Sequence, residues 1–415
     1  MLSRSFIHVS FALCAFSLAL TPLSTKLAGL AWLMFCLLCF ASAWRNHQSL
    51  HFVSDSPFSN ALLVEAAKIW LVCCLIAAIL RIIPQALWHD DWSRRHAEAR
   101  LLILAFGVYL GLRYSETISI KSLKIWMAAC CIACFLAFGI TLWLQRNTPA
   151  HPIPWAVSMS LIICLMLPFA LTCRERLFKA ALWLGIFWGV AGVLMSQSRG
   201  AYGIVPWVIL VAVMSGIPVF GKSRYSKPMG FIVFLGLLCA LLAWALNDAN
   251  DTLRFQAFAA QWTASQSHLQ EGANSSVGAR LFLWQKGWDA IQVQPFVGFG
   301  AESSVLQIRA WGQVIQSEEV MRLGHMHNEF LDAWMSHGLL GLLSSLIWPA
   351  GLSYVCWRLR KQYPQTCLSL LGIAWMHITA GMSNVNLAHN YYGTVLALCI
   401  GLALWLGQRE SVTHD

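Results

Sequence analysis

The stretch "WAVSMSLIICLMLPFALTC", Trp155–Cys173, runs nineteen residues without one charged side chain. As an α-helix it would reach about 28 Å, close to the roughly 30 Å hydrocarbon thickness of a bilayer. Its apolar residues are continuous instead of alternating, which points to a helix and not to a barrel strand. A helix also satisfies its own backbone polar groups where no water can. Comparable runs recur outward from it. Spans are expected near residues 5–21, 27–44, 61–80, 99–113, 122–145, 155–173, 178–197, 201–220, 229–247, 338–357, 365–382 and 391–407. The whole chain of 415 residues is 58% hydrophobic and 11% charged, where soluble domains carry about 25% charge. Its mean hydropathy is +0.62. The fold class expected is an all-α polytopic membrane protein of about twelve transmembrane helices. The first run resembles a signal peptide, with Arg4 ahead of it, but no small-residue cleavage pattern follows, and it is read as retained.

The net charge of +10 does not indicate nucleic acid, because Lys and Arg are scattered over many loops and form no stripe interleaved with aromatics. Orientation accounts for them. With twelve spans and both termini inside, Arg113/Lys121/Lys124, Arg174/Arg176/Lys179, Lys222/Arg224/Lys227 and Arg358/Arg360/Lys361 all fall on cytoplasmic connections. The other connections then face outward, among them Ser196–Gly200 and the long segment Asn247–Ser336. The chain divides into spans over 1–247, an outer loop over 248–336 with amphipathic helices, and spans over 337–415. All fourteen cysteines lie in or beside the spans, so the spacings Cys36/Cys39 and Cys131/Cys134 read as packing, and no disulfide staples the outer loop.

Within the loop, Ala279–Ile291 reads as an amphipathic helix, with Leu281, Trp284, Trp288 and Ile291 on one side, lying at the membrane surface. Ser275 or Ser276 is placed to cap it, and "QPFVGFG", Gln294–Gly300, breaks it. Arg81–Arg100, with Asp90 and Asp91 among its charges, reads as an interfacial loop. Glu65 and Lys68 stand one turn apart within the third span, where they could neutralise each other or line a cavity.

Three features carry chemistry. Arg199, in the polar hinge "SQSRGAYG", lies on the face where the positive-inside bias would not put it, and a guanidinium there suits an anionic headgroup. Arg280 follows the small residues of "SSVGAR" near a helix N-terminus, another place for an anion, although an arginine on an amphipathic helix is often only a solvated charge. The third is "MRLGHMHNEFLDAWMSHGLLG", Met321–Gly341. Asn328 is a good helix cap, with Glu329 and Asp332 in the first turn, so a helix starts there and His327 sits at its positive end. That position disfavours imidazolium and suits a general base. A metal site is the rival reading, since His325 and His327 with Glu329 or Asp332 supply ligand types. HxH spacing alone is a weak signal, and neither HExxH nor paired cysteines are present.

Taken together, the "SxSRG" hinge, the "SVGAR" helix in one large outer loop ending "PFVGFG", and "HNEFLDAWMSHGLLG" resemble the O-antigen ligase and polymerase superfamily of bacterial inner membranes. His327, Asn328, Gly338 and Gly341 fit the ligases' HN-x9-G-x-x-G pattern. The resemblance implies a GT-C-like glycosyltransferase in the inner membrane with its active site facing the periplasm. It would move a glycan from undecaprenyl pyrophosphate to a sugar hydroxyl of lipid A-core, without nucleotide sugar, cofactor or metal. Carried over by position, Arg199 and Arg280 would hold the pyrophosphate and His327 would deprotonate the acceptor. His337 is a second catalytic candidate, His325 a third, and Asn328, Gly338 and Gly341 support them. The alternatives are an O-antigen polymerase, a protein O-oligosaccharyltransferase and, from a different class, a lipid-linked glycan transporter. A cell-wall polymerase would instead need an outer carboxylate, for which Asp289, Glu302, Glu318 and Glu319 are available.

Overall fold

The computed structural model describes residues 4–49, 61–91, 96–114, 119–145, 147–216, 263 and 272–410. Among these there are helices and no strands. The membrane helices are α1 (Arg4–Ala19), α2 (Thr25–Ser49), α3 (Ala61–Leu87), α4 (His96–Tyr114), α5 (Ile120–Trp143), α6 (Pro152–Thr172), α7 (Arg176–Met195) and α8 (Ile204–Gly216). Three shorter helices follow, α9 (Ser276–Val293), α10 (Ala301–Val314) and α11 (Glu318–Arg322), and then α12 (Glu329–Leu359), α13 (Pro364–Gly381) and α14 (Asn390–Gly407). Seven of the described helices are long and apolar enough to cross a membrane. The chain is an all-α polytopic membrane protein. Eleven of the twelve expected spans coincide with a helix, and the ninth, 229–247, lies outside the described residues.

Two helices form the centre of the bundle. The apolar windows of α6 and α14 are 83% and 94% buried, whereas those of α2, α3 and α7 lie below half. A helix in the outer ring keeps an apolar face toward lipid, and a central one is wrapped by other helices on all sides. That explains why α6, the stretch on which the sequence reading began, has no polar face at all. Trp126, Trp155, Phe35 and Tyr392 fill the space between them.

Two local expectations are corrected. Glu65 pairs with Arg358 of α12, Nη2 to Oε2 at 2.9 Å, and not with Lys68, because α3 packs along α12 and presents the carboxylate to a better hydrogen-bonding cation. The α9 helix buries Val277, Ala279, Phe282, Leu283 and Ile291 against α10, α11 and the start of α12, while Trp288 remains 47% exposed. The tryptophans had marked the opposite side as apolar. Phe282 and Leu283 won the core because they bury completely without a polar atom, whereas Trp284 turns its indole N–H to the Met326 carbonyl.

The segment 295–300 is built into a break in α12. His337 (φ −129°, ψ 16°) and Gly338 (φ 62°, ψ −158°) leave helical geometry, which frees carbonyls on the turn before. Those of Met335 and Ser336 accept from the Phe299 and Gly300 amides at 3.0 and 2.8 Å, and the Leu339 amide donates to Pro295. A Cβ on Gly338 would land on the Phe296 carbonyl, and one on Gly298 (φ 67°) would press on the backbone of Gly338 and His337. Gly341 lets the resumed helix pass the Ala333 carbonyl. Gly338→Ala and Gly298→Ala should therefore each destabilise the protein by at least about 2 kcal/mol, since both add left-handed strain and backbone overlap. Thermal unfolding in detergent checks this, with Gly324→Ala, where nothing lies within 4 Å of the added methyl, as the mild control.

The connection after α3 is exposed at Trp88, His89 and Asp91 but buries Asp90. Asp90 is 4% exposed and accepts from the Ala301 amide with both oxygens, at 3.0 and 2.9 Å, capping α10. Its Oδ2 also meets His337 Nε2 at 3.1 Å. Trp88 Nε1 donates to the Val297 carbonyl beside it. The end of α3 thus clamps the bend of α12.

Candidate active site

Asn328 caps α12 as expected, its Oδ1 accepting from the Phe330 and Leu331 amides at 3.1 Å. The residue before it is His327, held at φ 51° in the left-handed region that side chains avoid. Three bonds hold the loop in that conformation. The Met326 amide donates to Asp332 Oδ1 at 3.0 Å, the Met326 carbonyl accepts from Trp284, and the His327 amide donates to His325 Nδ1 at 3.2 Å. The last bond requires Nδ1 of His325 to be unprotonated, so that ring carries its proton on Nε2. Strain maintained by surrounding structure is a feature of working sites.

His327 is 9% exposed, with Nδ1 buried and lacking a hydrogen-bond partner, and its ring centroid lies 4.3 Å from that of His325. Burial pushes its pKa down to about 2, and nearby His325, Arg280, His151 and His389 push in the same direction. The imidazole is neutral and holds a free lone pair, as a base requires. His151 and His389, stacked at 4.8 Å, complete a group of four histidines. Burial lowers the first and holds the second near 4. Among the described residues no three His, Cys, Asp or Glu side chains stand close enough to hold a metal ion.

Ser275 caps α9 by accepting from the Gly278 amide at 3.1 Å, which sets Arg280 on the first turn. Burial lowers the Arg280 pKa, and next in size comes the charge of Arg199, which sits on a single 3-10 turn, Arg199–Ala201, between α7 and α8. Two guanidiniums from segments far apart in the chain are therefore near enough to act on each other, and Arg280 is near enough to act on His327 as well. Like charges held together in a partly buried place form a site for a multiply charged anion.

His337 is placed differently. It is fully buried at the bend of α12, on Asp90, two and a half turns past His327. Its ring positions α10 and the glycine bend.

Residues 184–346 match the family model described as O-Antigen ligase. That region runs from α7 through the bend of α12 and contains Arg199, Arg280, His327, Asn328, Gly338 and Gly341. Over that region the chain is similar to the O-antigen ligase family. An O-antigen ligase of Escherichia coli K12 is 24% identical over 224 residues, 53% of this chain and 50% of that protein. The exopolysaccharide production protein ExoQ of Rhizobium meliloti is 35% identical over 185 residues, 42% of this chain and 39% of its own length. An uncharacterized protein of Haemophilus influenzae is 23% identical over 236 residues, 54% of this chain and 58% of its own. The matches thus span about half the length of these curated relatives.

Within this region and around it, the sequence alone did not mark Asp90, His151 and His389. Asp90 was visible as a carboxylate in a tryptophan-rich connection, but nothing local marks a carboxylate as the cap of a helix 211 residues away. His151 and His389 each precede a membrane helix. A histidine at the mouth of a span was the available signal.

The depressed histidines have a consequence for stability. Each is lowered in the fold, so the unfolded chain binds more protons once pH falls below about 6.5, and stability drops from there toward the folded values. Thermal midpoints should decline between pH 7 and pH 4.5, and His327→Gln should flatten the decline. An unchanged slope in that variant would contradict the buried neutral imidazole.

Proposed function

We propose that the protein is a lipid-linked glycan transferase of the inner membrane with its site facing the periplasm. In this reading it moves O-antigen glycan en bloc from undecaprenyl pyrophosphate to a sugar hydroxyl of lipid A-core. The observation that carries the proposal is that Arg280 lies near both Arg199 and a neutral His327. Arg199 and Arg280 bind the pyrophosphate and stabilise the charge that grows on it as it leaves. The acceptor oxygen bonds to the anomeric carbon from the opposite side while the bond to pyrophosphate breaks. The electron pair departs with pyrophosphate, the hydroxyl proton passes to His327, and the configuration inverts. Burial depresses His327 most, and the charge of Arg280 adds to it. The pyrophosphate's negative charge offsets the latter, so the base strengthens once donor is bound. His325 holds the strained loop, and His337 acts as a positioning residue through Asp90.

A second reading is supported by the higher identity to a protein named for exopolysaccharide production: the acceptor is another growing lipid-linked glycan, as in a polymerase. An in vitro assay with purified lipid-linked glycan separates the two when lipid A-core and a second lipid-linked glycan are offered in turn. Transfer to lipid A-core, insensitive to chelator, is the expected result. Movement of lipid-linked glycan across vesicles with no new glycosidic bond would overturn both in favour of a transporter.

A further inference from the structure

A cavity of about 400 Å³ opens beside the histidines, between α3, α4, α10 and α12, within the size range of small-molecule sites. His325 is on its wall, so the cavity adjoins the histidine loop, and neither Arg199 nor Arg280 lines it. Glu329 points into it. That carboxyl is 4% exposed, and its Oε2 accepts from the Asn386 amide at 3.0 Å, but its Oε1 is buried with no hydrogen-bond partner. Nε of Arg81, on the same wall, is likewise buried without one. Oxygen and nitrogen left open in a water-poor pocket are costly unless a ligand completes them. Glu98, Glu302 and Asp332 add carboxylates to the lining, and Trp348 closes the deep end with an aromatic surface.

Resting on the transferase reading, we propose that this cavity is the acceptor subsite, taking the terminal sugar of a neutral or amino saccharide with Glu329 and Arg81 as its hydrogen-bond partners. Sugar hydroxyls are donors and acceptors at once, which matches a carboxyl beside a guanidinium. The preponderance of carboxylates excludes acidic sugars by repulsion. The acceptor thereby reaches the histidine loop from the cavity while the pyrophosphate occupies the arginines, so the two substrates approach from different sides.

The test uses full-length protein in nanodiscs and three trisaccharides ending in a neutral hexose, an amino sugar and a uronic acid. Saturation-transfer NMR should detect binding of the first two and not the third. Val305→Trp, which fills the cavity from α10, and Glu329→Gln should weaken binding at least tenfold, while Val305→Ala should not. In the transfer assay both weakening variants should raise the acceptor KM and leave the donor KM unchanged. Equal binding by wild type and Val305→Trp, preference for the uronic acid, or displacement of the trisaccharide by the glycan-bearing donor would each overturn the assignment. Cavity-dependent binding without any glycan transfer would instead overturn the transferase reading, so the two failures are distinguishable.

Discussion

Glycan transfer by His327→Ala is expected to fall by about 10² to 10⁴, the usual contribution of a positioned general base. Binding of the lipid-linked donor should be unchanged. His327 is fixed at φ 51° by bonds to α9, to α12 and to His325, and its Nδ1 is buried without a hydrogen-bond partner. His327→Asn keeps a residue that tolerates the left-handed region, so it separates loss of the base from collapse of the loop. Full activity in either variant would remove His327 from the chemistry, leaving His325 and His389 as the next rings to replace. In the wild type the rate should show no acid limb attributable to free His327 above pH 4, because its folded pKa is about 2.

Arg199→Ala and Arg280→Ala should each lower transfer by about 10² to 10³, equivalent to roughly 2.7–4 kcal/mol of transition-state stabilisation. The two should differ in character. Arg199 lies exposed on its turn, whereas Arg280 is half-buried on α9, so Arg280→Lys should recover little and Arg199→Lys more. Binding of undecaprenyl pyrophosphate, measured by its quenching of tryptophan fluorescence, should weaken in both alanine variants. Their thermal stability should hold or rise, because removing one of two neighbouring guanidiniums relieves repulsion. Unimpaired turnover of the donor in both variants would take the arginines out of the site.

Legibility differed between features for physical reasons. Caps are local, so Ser275 and Asn328 could be assigned from a few neighbouring residues, and both side chains accept the expected amides. The glycine pattern around Gly338 and Gly341 was readable as a motif, but its cause is the insertion of 295–300 into a broken helix, a contact between segments some 40 residues apart. The face that α9 buries was misread, because amphipathicity names an apolar side only when the partner surface is known. Glu65 was given the wrong partner because Lys68 is near in sequence and Arg358 is near in space.

Hydropathy and cap chemistry by themselves determined that the chain is a bundle of membrane helices and where several of those helices start. Those properties depend on solvent exclusion and on hydrogen bonds within a few residues of each other. Only the tertiary structure decided that the two guanidiniums approach each other, that Asp90 clamps the bend, that four histidines gather, and that Glu329 faces a cavity with an oxygen to spare. Each of these depends on packing between helices far apart in the chain, where shape and close contact, and no local pattern, select the neighbour.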